Sequence, residues 1–198
     1  HNGVMADSTD EIAASAAQWV VEEGLEYGPA KRRALKALGL PPRTPLPNND
    51  QVEAQVREYI ELFCADSQPK ELLALRKHAL MWMTRLSEFR PYLGGAVWHG
   101  TATRMSDIYL QLFCDDAKSC EIELINKGVA FEARSVNGLH GEPVEALSIH
   151  SFCEDLDEEI GVHLLINDFD DVRGALKSDS QGRSPRGDWS AVKKLIEA

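Results

Sequence analysis

Apolar residues fall three and four apart through the first ninety positions of this chain, and two apart through much of the remainder. The first pattern is the stripe of an amphipathic helix; the second is the buried face of a strand. In "IAASAAQWVVEE", Ile12, Ala16, Trp19 and Val20 share one face, and Ser8 with Glu11 three places on has the form of a capping box. Gly24 and Gly28 stop this helix. Pro29 suits the first turn of a second, "PAKRRALKALG", closed by Gly39. The prolines of "LPPRTPLPNND" lack a donor and fix φ, which predicts a stiff connector. A third helix is expected from about Asp50 to Cys64, with Val52, Val56, Tyr59, Ile60 and Phe63 at helical spacing. Pro69 opens a fourth, "KELLALRKHALMWMTRLSEF", with Leu72, Leu75, Ala79, Met83 and Leu86 along one side. His78, Met81, Trp82 and Met83 within it read as packing rather than as a cofactor box.

After Pro91 the period changes. "GGAVWHG" and "SDIYLQLFC" read as two strands around a turn, and "DAKSCEIELINKG" as a helix stopped by Gly128. "VAFEARSV", "PVEALSIHSFC" and "GVHLLINDF" are three further strands, antiparallel through the short turns "NGLHGE" and "EDLDEE". "DWSAVKKLIEA" is a closing helix capped by Asp188. This order predicts an α+β class: a helical region over residues 5–90, then a mixed sheet with flanking helices over residues 91–198. Residues 1–4 read as an expression remnant ahead of a natural start at Met5.

Composition narrows the functional classes. Of 198 residues, 43% are hydrophobic, enough for a sizeable core. No apolar run approaches the roughly 20 residues that span a bilayer, so a cytoplasmic protein without a membrane segment is expected. Cys64, Cys114, Cys120 and Cys153 form no CxxC pair and read as reduced, buried thiols. The net charge of −11 is concentrated after residue 90, and residues 154–171 hold eight acids and no Lys or Arg. Nucleic-acid affinity rests on cations that displace counterions, so this charge disfavours nucleic acid as a partner.

The candidate chemistry lies in "LGGAVWHGTATRMSDIYLQLF", residues 93–113. A glycine pair lets backbone N–H groups approach a phosphate closely, and an aspartate on the next strand can hold Mg²⁺ beside it. Residues i and i+2 of a strand point to one face, so a two-metal phosphoryl site wants acids at both positions. Asp107 fills the first, but Tyr109 fills the second.

With this spacing the stretch resembles the signature of the DNA polymerase β-like nucleotidyltransferase superfamily, including its small bacterial members. Gly95 and Ala96 fall on the family's Gly-Ser pair, Gly100 on a common second glycine, and Ser106 and Asp107 at the start of the metal-binding strand. The resemblance implies a nucleotidyltransferase-like fold, nucleotide or phosphate contacts at Gly94, Gly95, Gly100 and Ser106, Mg²⁺ on Asp107, and a catalytic role for Asp107 with Glu132. Glu132 is a candidate for the family's third acid. The alternative strand offers His163 in that place, with Asp168, Asp170 and Asp171 just after it.

Two departures bear on activity. Alanine at 96 has no hydrogen-bonding group, and the phenol of Tyr109 is a poor Mg²⁺ ligand. The expectation is therefore a nucleotidyltransferase-fold protein with impaired or absent catalysis that binds a nucleotide or a protein partner. Two other readings stay open: an active Mg²⁺-dependent nucleotidyltransferase with rearranged carboxylates, and an interaction module that uses the helical half. A longer stretch, "EEGLEYGPAKRRALKALGLPPRTPLPNN", resembles uncharacterised proteobacterial proteins that join such helices to this region. The histidines and cysteines carry no metal-ligand spacing, and no G-x-S-x-G elbow is present. Lys177, Arg183 and Arg186 lie in a glycine-containing basic loop expected to be mobile and able to reach over a phosphate.

Overall fold

The computed structural model describes residues 2–198, with side chains from residue 8 onward. It is an α+β protein: an N-terminal helical region is followed by a five-stranded mixed sheet with helices. The chain divides into two compact units, residues 1–69 and 70–198. The reading of residues 1–4 as an expression remnant lies outside what the described side chains bear on.

The first unit holds α1 (Asn2–Glu23), α2 (Tyr27–Ala37) and α3 (Asn49–Phe63). Its core is built from Ile12, Ala16, Ala17, Val21, Ala30, Ala34, Val52, Val56 and Ile60; of the positions expected inward, Trp19, Val20 and Tyr59 are only half-buried and Phe63 is exposed. Ser8 does not cap α1: the helix begins six residues earlier, and nothing between Asn2 and Ser8 breaks it. The capping box falls instead at α3. There the Asn48 side chain accepts from Gln51 N–H, and the Gln51 side chain accepts from Asn48 N–H.

The second unit begins with α4 (Gln68–Arg85), which sequence periodicity groups with the helices before it. Its buried stripe of Ala74, Leu75, Ala79, Trp82 and Met83 packs instead against sheet residues such as Leu110, Leu147 and Leu164. The expected boundary near residue 90 therefore moves to about residue 70. An apolar stripe says that a helix is buried, but not against what.

β1 (Tyr92–Gly94), β2 (Ile108–Cys114), β3 (Glu132–Asn137), β4 (Pro143–Cys153) and β5 (Glu158–Asp168) lie in the order β1-β2-β5-β4-β3. β3, β4 and β5 form the expected antiparallel meander, while β5 returns parallel to β2. α5 (Gly95–His99) and α6 (Lys118–Asn126) flank β2 in sequence, and α7 (Val172–Ala175) and α8 (Trp189–Glu197) follow β5. The expected strand "GGAVWHG" is thus only a strand end. Gly95 at φ 67° turns the chain into α5, and Gly100 at φ 94° ends it. Arg76 holds that short helix by donating from Nε to the Val97 carbonyl at 2.9 Å and from Nη2 to the Trp98 carbonyl at 3.0 Å.

The basic loop before α8 is tied down. Leu93 and Gly187 exchange two backbone hydrogen bonds, at 2.8 and 2.9 Å, which extends β1 at the sheet edge. Trp98 Nε1 donates to the Ser184 carbonyl at 2.8 Å, and any Cβ at Gly187 would run into the Trp98 ring.

Candidate functional site

Strand register decides which side chains meet. Tyr109 lies opposite His163, His163 opposite Ser148, and Ser148 opposite Glu132, so these four form one row across β2, β5, β4 and β3. Directly opposed residues share a face of the sheet. Asp107 stands just before β2, two residues from Tyr109.

The loop that delivers Asp107 is fixed at several points. Ser106 N–H donates to the Thr103 carbonyl at 2.8 Å, and the Ser106 hydroxyl accepts from Thr103 N–H at 3.0 Å. Arg104 Nη2 donates to the Leu156 carbonyl at 3.1 Å, and Arg104 pairs with Glu71 and Glu158 at 3.7 and 3.4 Å. So anchored, Asp107 Oδ2 lies 2.8 Å from His163 Nε2, and His163 Nδ1 lies 2.8 Å from Ser148 Oγ. An ionised carboxylate only accepts, so Nε2 carries the proton and, in the neutral ring, Nδ1 accepts from the Ser148 hydroxyl. Tyr109 stacks on the imidazole at 4.9 Å between centroids and 29° between planes. The imidazole is largely enclosed, with a 14% exposed side chain, whereas Asp107 is 45% exposed.

Ser148 lies within β4, paired with β5 on one side and at the last rung of the β3 ladder on the other, rather than on a nucleophile elbow. What the network does chemically is fix one oxygen of Asp107 as an acceptor for an imidazole.

The residues expected at the site are only partly brought together. Gly94 ends β1 directly opposite Tyr109, and a Cβ at Gly95 would meet the Tyr109 ring at 3.5 Å, so the tyrosine fills the space beside the glycine turn. Gly100 closes α5, and the Ser106 hydroxyl is used inside its own turn. Arg186 stands against Gly94: a Cβ there would be 3.7 Å from both Cβ and Nε of the arginine. Burial depresses the Arg186 pKa, and its Nε is enclosed without a hydrogen-bond partner while Nη1 donates to the Ala175 carbonyl at 3.3 Å.

Glu132 is not with Asp107. It shares the row but is exposed on the edge strand, three strand spacings or roughly 14 Å away. Asp168 pairs with Cys114 at the other end of β2, about 17 Å along the strand from His163. The residue directly opposite Tyr109 is His163, on the strand that is the alternative to Glu132's for the third acid. The donor set does not fit the two-metal arrangement: one carboxylate is present, and its Oδ2 is engaged by an imidazole. Among the described residues, no group of three or more His, Cys, Asp or Glu side chains is placed to hold a metal ion.

Ser148 and Gly161 escaped the sequence reading. Gly161 and His163 stand at i and i+2 on β5, a signal of a shared face, but nothing in the sequence tells which aspartate lies over them. Comparisons with family models, with curated proteins and with solved structures found no match for this chain.

Proposed function

We propose that residues 70–198 form a nucleotidyltransferase-like scaffold that binds a nucleotide or a protein partner without efficient two-metal nucleotidyl transfer. The observation that carries this reading is the 2.8 Å bond between Asp107 and His163, made beside a tyrosine where a second acid is needed. The order strand, glycine turn, short helix, strand supports the scaffold, as does the parallel strand β5 beside β2. Loss of a metal-holding carboxylate costs several kcal/mol of transition-state stabilisation, or orders of magnitude in rate. The reading includes a cytoplasmic home, consistent with four cysteines that are all free thiols and with no helix long and apolar enough to cross a membrane among the described residues.

Calorimetric titration with ATP, CTP, GTP and UTP, with and without Mg²⁺, tests the reading. Expected is binding that changes little when Mg²⁺ is withheld, and no pyrophosphate release with any of the four. Mg²⁺-dependent pyrophosphate release that disappears in Asp107→Ala overturns it. Silence with every nucleotide leaves the protein partner as the ligand.

One observation favours the helical half as an interaction module. Leu62 and Phe63 at the end of α3 are 66% and 70% exposed. If they form a contact surface, Phe63→Ser abolishes self-association or partner capture without lowering thermal stability.

A further inference from the structure

β4 is eleven residues long, but β3 covers only its first part: pairing ends at Glu132 with Ser148. From Ile149 to Cys153, β4 is paired with β5 alone. Along an antiparallel strand, alternate residues turn N–H and C=O away from the partner. That leaves about 17 Å of strand edge whose outward backbone groups meet no other strand. Among the described residues, no hydrogen bond from elsewhere in the chain satisfies them.

A cleft of about 610 Å³ opens along this edge. One wall is Ile149–Phe152, the opposite wall is Gly128–Phe131, and Trp82 and Arg85 of α4 close one side. The strand side is anchored: the Ser151 hydroxyl accepts from Trp82 Nε1 at 2.9 Å and lies 2.7 Å from His78 Nε2. Phe152 is 54% exposed although it faces the cleft. Arg85 lies over the Trp82 ring at 4.3 Å, and among the described residues its guanidinium meets no carboxylate. Exposed His150 adds a second nitrogen donor to the same cleft. An open strand edge is a template for another chain, and proteins normally cover it or place charges and proline along it. Here the open length carries no Asp, Glu, Lys, Arg or Pro to blunt the edge; its residues are Ile, His, Ser, Phe and Cys.

We propose that this cleft binds an extended peptide segment of a partner protein, which adds to the outer edge of β4 in line with β3 and presents a carboxylate side chain to Arg85. Main-chain pairing supplies affinity, and Phe131 on the α4 side of the sheet and Phe152 on the opposite face each take one of the alternating apolar side chains. The guanidinium stacked on Trp82 selects acid over base by a charge-assisted pair. Glu132 at the near end disfavours a second acid there. The cleft reaches Ser148 and Glu132 at the end of the Asp107 row but includes neither Asp107 nor His163, and its failure leaves the nucleotidyltransferase-like reading untouched.

The test is selection of the full chain against a phage-displayed random heptapeptide library, followed by anisotropy titration of the enriched peptides. Expected are proline-free peptides sharing one Asp or Glu, with affinity lowered about tenfold by Arg85→Gln, the loss of one hydrogen bond to a charged group. Phe152→Ala also weakens them, and circular dichroism shows both variants folded. Amide exchange with bound peptide then shows new protection within Ile149–Cys153. The proposal is overturned by a failure to enrich, by peptides indifferent to Arg85→Gln, or by protection confined to β3. A dimer that protects the same amides with no peptide present assigns the edge to a second copy and also overturns it.

Discussion

The carboxylate of Asp107 lies over Gly161: a Cβ at residue 161 would stand 2.7 Å from Oδ2 and 2.9 Å from Oδ1. Gly161 itself follows ordinary strand geometry, so its missing side chain serves space rather than backbone freedom. Asp107 reaches His163 through that space.

Gly161→Ala therefore pushes the carboxylate away and breaks the 2.8 Å bond to Nε2. Expected is a loss of about 1 kcal/mol by denaturant titration, the scale of one partly exposed hydrogen bond. In an Asp107→Ala background the same substitution costs nothing further, because the atoms it meets are gone. A double-mutant cycle with no coupling rejects this account.

Tyr109→Asp combined with His163→Asp places carboxylates at both neighbours of Asp107. Three acids on two adjacent strands, two of them directly opposed, are a hard-cation site. Expected is saturable Mn²⁺ binding by calorimetry, at least about tenfold tighter than in the unsubstituted protein. Equal binding in both proteins counts against the proposed nucleotidyltransferase-like scaffold. Loss of the ring stack also lowers the melting temperature.

His78 sets a pH dependence. Burial pulls its pKa below 6.5, with Asp155 opposing more weakly. Trp82 donates to the Ser151 hydroxyl, whose own proton is then free for His78 Nε2 when that nitrogen is unprotonated. Below pH 6.5 the unfolded chain takes up a proton that the native state resists. Stability therefore falls as pH drops from about 6.5 and levels off once the folded value is passed. In urea titrations from pH 7.5 to 5, His78→Gln flattens this fall; an unchanged slope shows that another group carries it.

Glu145 runs the other way. Burial and the neighbouring Glu121 raise its pKa above 4.5, with Lys118 opposing, and Oε1 is enclosed without a hydrogen-bond partner. A raised carboxyl contributes stability in its protonated form below the unfolded value and loses it as pH rises through the folded value. Glu145→Gln is therefore expected to stabilise at pH 7 by on the order of 0.5 kcal/mol, since the side chain is only partly enclosed. The gain vanishes near pH 4, where both states are protonated; a gain of equal size at pH 4 and 7 rejects the electrostatic cause.

Much of the fold is legible in the spacing of apolar residues. Val52, Val56 and Ile60 are buried where helical periodicity puts them, and Ile108, Leu110 and Leu112 where strand alternation does. The departures occur where a distant group overrules a local pattern. "GGAVWHG" alternates like a strand, yet a positive φ at Gly95 and the reach of Arg76 to two carbonyls make it a turn of helix. α4 has the stripe that was read, but its partner is a sheet formed later in the chain.

At the site, residue types and spacing alone mark a glycine turn, an aspartate ahead of a strand and a tyrosine two places on. Those are local facts, set by residue type and the two-residue period. The tertiary structure alone decided that β5 lies parallel to β2, which brings together two side chains 56 residues apart in sequence. It also set Glu132 at the far edge and left His163 beside Tyr109. Strand order is fixed by the packing of whole faces and by crossover connections, which residue spacing along one strand does not encode.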